Sequence, residues 1–321
     1  MPKLKVIFDT DPGIDDAMAL LLLARHPRVE LLGITTVFGN AEIDVVSRNA
    51  LHLVQRFRLA VPVARGAAGP LVGEAGPPPT FVHGTNGLGD IPLPPVQGNL
   101  DPRPAHRLII DLVYADPGAI TIIAVGRMTN LALALAEAPD IVDKVARVVV
   151  MGGAFGHHRH TGNVSPVAEA NIWGDPHAAD IVFGADWPVT IVPLDVSQET
   201  QMSDRYLADL AEVAGDDGRF VRDVSAYYQE FHRQSAGMDG FYVHDSSAVA
   251  YALHPEFYRT ETGAIRVATD GIAAGQTIIK PDSKRFPPGP WDGRPSQTIC
   301  TEVNAAAVLD LYRRTLLGHG N

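Results

Sequence analysis

Short apolar runs recur along this chain, each followed by a polar turn and then by a stretch whose apolar residues repeat at helical spacing. Residues 3–8 form the first run and predict a buried strand; residues 17–24, rich in Ala, Leu and Met, predict a helix. Residues 29–37 predict a second strand. Residues 41–58 predict a helix, with Ile43, Val46, Ala50, Leu51 and Val54 near one face. Residues 61–64 read as a short strand, and 66–103 as a long Gly/Pro-rich loop of the kind that is usually functional. Helix 105–114, strand 119–125, strand 148–151, a helix opened by Asp175-Pro176 and running to Phe183, and strand 189–192 follow. Residues 204–232 have one helical pattern, 246–252 another. Residues 258–299 read as short strands with a Pro/Gly-rich loop, closed by a helix over 304–317. Strands alternating with helices predict an open, mostly parallel mixed sheet with helices on both faces. The pattern shows no repeat and no clean linker, so one domain over 1–321 is expected.

The polar turns fall at strand carboxyl ends, so in such a sheet they share one rim, the rim where ligands bind. The first is the most unusual. Asp9-Thr10-Asp11-Pro12-Gly13-Ile14-Asp15-Asp16 places four carboxylates between a strand and a helix. Helix capping accounts for one or two of them, but four anions this close repel unless protons or a cation intervene. Oxygen ligands alone suit a hard divalent cation. An EF-hand is excluded, because counting from Asp11 the loop lacks both the Gly at six and the Glu at twelve.

Composition then narrows the partners. The chain has 321 residues, 46% hydrophobic and 20% charged, with net charge −11 and no basic run, which argues against nucleic acid. No apolar run reaches membrane-spanning length, and no signal-peptide pattern opens the chain. The one cysteine, Cys300, fits a reducing compartment. A cytoplasmic protein acting on a small molecule is the expectation.

Six motifs in order complete the picture: Asp9 to Ala17, Thr35-Thr36-Val37-Phe38-Gly39-Asn40, Met128-Thr129-Asn130, Met151-Gly152-Gly153, Glu169-Ala170-Asn171 and His244-Asp245. As an ordered set they closely resemble the inosine-uridine preferring nucleoside hydrolase family, from residue 4 to about 253. The resemblance implies a Rossmann-like nucleoside hydrolase fold, a ribonucleoside substrate, hydrolysis of its N-glycosidic bond, a tightly bound Ca²⁺ and a homo-oligomer, dimer or tetramer. It implies Asp11, Asp16, Asp245 and the backbone carbonyl of Val125 as calcium ligands. Asp15, Asn40, Glu169 and Asn171 would hold the ribose hydroxyls, Met151 would line the sugar site, and Asn163 would also contact the sugar. His83 and His244 would face the base.

The chemistry runs parallel to this. Glycosidic cleavage passes through an oxocarbenium-like sugar, which an anionic pocket favours. A water activated at the metal, with Asp11 taking its proton, would be the nucleophile, and His244 would protonate the leaving base. Ala170 is small where family members often carry a bulky aromatic, and residues 227–232 border the base site, so the base preference stays open. Three other features have their own readings. His157, His158 and His160 read as a solvated loop, with transition-metal binding as the alternative. Phe8-Asp9-Thr10-Asp11 also resembles the Asp-x-Asp strand of haloacid-dehalogenase-like phosphatases, though Gly13 stands where that pattern wants Thr or Val. A calcium-dependent ribosyl-binding protein without turnover is the non-enzymatic alternative.

Overall fold

The computed structural model describes residues 3–319. Nine strands form one sheet. In chain order they are β1 (Leu4–Thr10), β2 (Val29–Thr36), β3 (Val63–Ala64), β4 (Ile120–Ala124), β5 (Arg147–Met151) and β6 (Val189–Val192), then, after a two-stranded ribbon of β7 (Gln201–Met202) and β8 (Phe241–Tyr242), β9 (Tyr258–Val267), β10 (Thr277–Pro281) and β11 (Ser296–Val303). The sheet order is β10-β9-β11-β6-β5-β4-β1-β2-β3. From β3 to β11 every pairing is parallel; β9 runs antiparallel to both β11 and β10. The mostly parallel, mixed sheet is as expected. The strands after residue 258 are longer than the sequence suggested, with β9 ten residues long.

Each central strand feeds two cores. In β1, Val6 and Phe8 pack into one core and Ile7 into the other, the period-two alternation of a strand covered on both faces. In β5, Val149 and Met151 face the first core and Val148 and Val150 the second. Helices Ile14–Arg25, Asp245–Leu253 and Ala305–Leu316 cover the first face; Ala105–Ala115, Thr129–Glu137 and Pro176–Gly184 cover the second. Helix Asp245–Leu253 is buried along its whole length, and Ile14–Arg25 is buried without a break from Asp16 to Leu23, which is why the sequence of Ile14–Arg25 is apolar nearly all round rather than striped.

The chain leaves β1 toward β2 and β3 on one side, then resumes at β4 and runs the other way. The point where the strand order reverses therefore lies between β1 and β4, and their carboxyl-end turns, residues 11–13 and 125–128, frame the crevice where such sheets bind ligands. The sequence resolves less well in the helical stretch after Asp204. Instead of one helix there are two, Asp204–Val213 and Gly215–Ala236. Ala214 separates them and Gly215 opens the second in the left-handed region, φ 58°, a break that periodicity alone does not reveal.

Candidate active site

The acidic turn separates into three roles. Asp9 belongs to the scaffold: it is fully buried and accepts hydrogen bonds from Thr35 Oγ1 (2.6 Å) and Asn130 Nδ2 (2.8 Å). Asp16 is both cap and site residue. Its Oδ2 accepts from the Gly13 amide (2.9 Å), closing the first turn of helix Ile14–Arg25, and from Asn40 Nδ2 (2.8 Å); its Oδ1 accepts from Thr10 Oγ1 and the Asp11 amide. Asp11 and Asp15 keep free oxygens. Asp11 Oδ1, Asp15 Oδ1 and Asp245 Oδ2 are buried and have no hydrogen-bond partner.

Asp15, Asp16 and Asp245 converge most tightly, one carboxylate oxygen from each lying within 4.8 Å of the others. Asp245 opens helix Asp245–Leu253 and reaches the acidic turn across more than two hundred residues of chain. Burial and the crowding of like charges push these acids up: Asp15 to about 8, Asp245 well above the usual carboxylate range, and Asp11 likewise. Buried, unpartnered carboxylate oxygens facing one another fit a hard divalent cation, whose charge would remove the repulsion. Asp11 is not among these three; the place expected for it is taken by Asp15, read from sequence as a ribose contact. Arg127 Nη1 (2.6 Å) and the Asn40 amide (2.9 Å) hold Asp11 Oδ2, while its Oδ1 stays free.

The remaining residues line the same rim. The Val125 carbonyl follows β4 and accepts from Asn171 Nδ2 (2.7 Å), which also donates to the Met151 carbonyl (3.2 Å). Glu169 is the N-cap of helix Ala170–Gly174; its carboxylate accepts from the amides of Asn171, Ile172 and Gly153. Asn163 is exposed and holds the Ala170 amide through Oδ1 (3.0 Å). Thus Asn40, Glu169 and Asn171, read from sequence as sugar contacts, also brace the turns that carry the acids.

On the base side, His83 is buried at the end of helix Thr80–His83. Its Nδ1 accepts from the Ile14 amide (3.3 Å), so it too caps helix Ile14–Arg25, and its ring stacks on Tyr228 with centroids 5.8 Å apart. Phe231 continues that stack, 6.4 Å from Tyr228. Gly13 makes this approach feasible: a Cβ there would lie 2.6 Å from Asn40 Nδ2 and 2.7 Å from His83 Nδ1. His244 Nδ1 lies 2.8 Å from Ser197 Oγ. Burial, and then neighbouring histidines, push His244 down to about 3.

Two residues were not singled out from sequence. Ser197, in the turn after β6, fixes the His244 ring; Arg127 pairs with Asp11 from inside the conspicuous Gly126–Asn130 turn. A basic residue in a turn facing an acidic one was the available signal for Arg127. The histidine loop does not assemble a site. His157, His158 and His160 turn to three different partners, Glu261, the Thr301 carbonyl and Glu199, and among the described residues the only grouping able to hold a metal is the Asp trio.

Comparison with known proteins agrees with this geometry. The family model for inosine-uridine preferring nucleoside hydrolases matches residues 6–310. Uridine nucleosidase 1 of Arabidopsis thaliana is 38% identical over 315 residues, covering 98% of this chain and 93% of that protein. The inosine-uridine preferring nucleoside hydrolase of Crithidia fasciculata is 39% identical over 285 residues, covering 87% and 88%. The plant nucleoside hydrolase PpNRh1 superposes with a TM-score of 0.94 at 35% identity, over 98% of this chain and 99% of that one. The phosphatase reading is thereby set aside, and the chain belongs to the inosine-uridine preferring nucleoside hydrolase family, as an enzyme that hydrolyses N-glycosidic bonds.

Proposed function

We propose that this chain, as one catalytic domain, is a calcium-dependent ribonucleoside hydrolase that releases ribose and the free base, with uridine among its substrates. Members of this family depend on a metal, and the observation that carries the calcium assignment is the set of buried, unpartnered oxygens on Asp11, Asp15 and Asp245 beside Asp16. An all-oxygen, carboxylate-rich set drawn from separate turns suits calcium, with its flexible coordination, better than the smaller, strictly octahedral magnesium. Asp11, Asp16, Asp245 and the Val125 carbonyl would hold the ion. When bound, it supplies Lewis acidity that makes water acidic enough to ionise near neutral pH and an anchor for sugar oxygens. Uridine is supported by four relatives from Arabidopsis thaliana and Oryza sativa at 35–38% identity, one named uridine nucleosidase and three named probable uridine nucleosidase.

The protein's own groups do the rest. Asp11 takes the proton from the attacking water through Oδ1. Asp15, Asn40, Glu169 and Asn171 grip the ribose hydroxyls, with Met151 against the ring and Asn163 at the rim. The density of carboxylates favours the positive charge that grows on the sugar as the glycosidic bond breaks. His83 faces the base. His244 donates to the departing base: with Ser197 bonded at Nδ1, Nε2 is the position for the donated proton. The chain acts as a homo-oligomer, dimer or tetramer, in a reducing cytoplasm. Among the described residues no helix is long and apolar enough to cross a membrane.

The test is a panel of ribonucleosides, including uridine and inosine, assayed for free ribose with calcium and with chelator. Release that needs calcium is expected. Absence of ribose from every member of the panel would remove the reading.

A further inference from the structure

We propose that Arg127 is a positioning residue for Asp11: it pins one carboxylate oxygen so that the other is the oxygen left free to work. This rests on the assignment of Asp11 as the base. The observation is an asymmetry within one carboxylate. Asp11 Oδ2 receives both Arg127 Nη1 (2.6 Å) and the Asn40 amide (2.9 Å), while Asp11 Oδ1 is buried and receives nothing. A carboxylate held by one amide alone can turn about its Cβ–Cγ bond. A charge-assisted bond on the same oxygen fixes the rotation, and a base must be held within hydrogen-bond reach of the proton it removes.

The guanidinium is itself seated in a slot that glycines provide. A Cβ at Gly39 would lie 1.6 Å from Arg127 Nη1, and a Cβ at Gly174 would lie 2.4 Å from Arg127 Nε. Neither glycine has a positive φ, so it is the space, not the backbone conformation, that excludes a side chain there. Phe38 closes one side, with the Arg127 guanidinium carbon 5.4 Å from its ring centre. The slot joins three separate turns, after β1, β2 and β4, to helix Ala170–Gly174. The ion pair is almost wholly buried, with side-chain exposures of 10% for Arg127 and 1% for Asp11, so water does not screen it and either partner left alone is strongly disfavoured.

Two variants disturb the same contact by different routes. Arg127→Met removes the guanidinium and keeps an unbranched side chain; Gly174→Ala keeps the guanidinium and pushes it out of the slot. Steady-state kinetics on a ribonucleoside with saturating calcium should show kcat down about tenfold or more in both, with KM within about threefold, because sugar contacts are untouched. Arg127→Lys, which restores charge with shorter reach, should recover part of the kcat. Independently of turnover, melting midpoints in chelator for Asp11→Asn, Arg127→Met and the double variant should be non-additive, the double variant melting no lower than the worse single one. A kcat within twofold of the parent in either variant, or additive midpoints, overturns the proposal. Failure of the parent protein to hydrolyse any ribonucleoside would instead strike the functional reading beneath it, and the melting cycle would still decide whether Arg127 and Asp11 act as a pair.

Discussion

Asp11 and His244 are assigned different jobs, and replacing them should produce different failures. Asp11→Asn cannot accept a proton, so it should slow a natural nucleoside and an activated substrate such as p-nitrophenyl riboside alike. His244→Ala should matter for the nucleoside, by about 10² to 10⁴ in rate, and little for the activated riboside, whose leaving group needs no proton. An equal large loss on both substrates would mean that His244 holds the sugar or the fold. The hydroxyl contacts make a second expectation. Asp15, Asn40, Glu169 and Asn171 are polar groups gathered in a largely buried rim, and a 2′-deoxy substrate would leave some of them unpaired. Discrimination against the deoxynucleoside could then reach about 10⁴-fold; comparable kcat/KM for uridine and 2′-deoxyuridine would show that these side chains serve the turns alone. That second role is real in the structure, since Glu169 caps a helix and Asn40 ties Asp11 to Asp16. It also explains what was legible beforehand: a residue type and its turn are visible in sequence, whereas the hydrogen bonds dividing its time between scaffold and ligand are not.

Helix ends carry much of this architecture, and one far from the site gives a clean test. His26 is the C-cap of helix Ile14–Arg25, 3% exposed, and its Nδ1 accepts from the Arg28 amide. Burial, aided by His254 and Arg28, lowers it to about 4 from 6.5. A base depressed in the folded state is held neutral there, so its contribution is complete above about 6.5 and is lost as pH falls toward 4. With calcium saturating, His26→Asn, which can still accept a hydrogen bond, should therefore melt less steeply with falling pH than the parent between pH 6.5 and 4. Parallel curves would disprove it. The elements themselves were read best where burial is two-sided: β1, β2, β4, β5 and β6 are near-continuous apolar runs flanked by polar turns, and periodicity placed them. Reading failed where a single residue overrides a pattern. Gly215 splits one helical stretch into two, and the β7–β8 ribbon joins segments whose pairing is too short and too distant in sequence to leave a local signature. Arg127 escaped notice for a related reason, since its partner Asp11 is 116 positions away and no local pattern links them.

The sheet gathers the acids at the point where its strand order reverses, and this has a consequence for stability. Residues 11–16 follow β1, Val125 follows β4, and Asp245 begins a helix on the first core. The segments pack through apolar contacts, with Asp245–Leu253 against Ile14–Arg25 and β5, yet at their tips the same packing forces carboxylates together in a space with little water. Folding therefore works against like-charge repulsion and desolvation at this one place, and hydrophobic burial over the rest of the sheet offsets it. A cation held there binds the folded chain and not the unfolded one, so it should stabilise by about 2.7 kcal/mol at a hundredfold excess over its dissociation constant. For a chain of this size that corresponds to a rise in melting midpoint of about 4 °C. The measurement is thermal unfolding of the whole protein in chelator, after which calcium or magnesium is added back at matched concentrations. Chelator should lower the midpoint, calcium should restore it, and magnesium should fall short, because it gives up its water shell reluctantly and demands near-ideal octahedral geometry. An unchanged midpoint in chelator would mean that protons alone relieve the cluster, and full restoration by magnesium would remove the assignment of the ion as calcium.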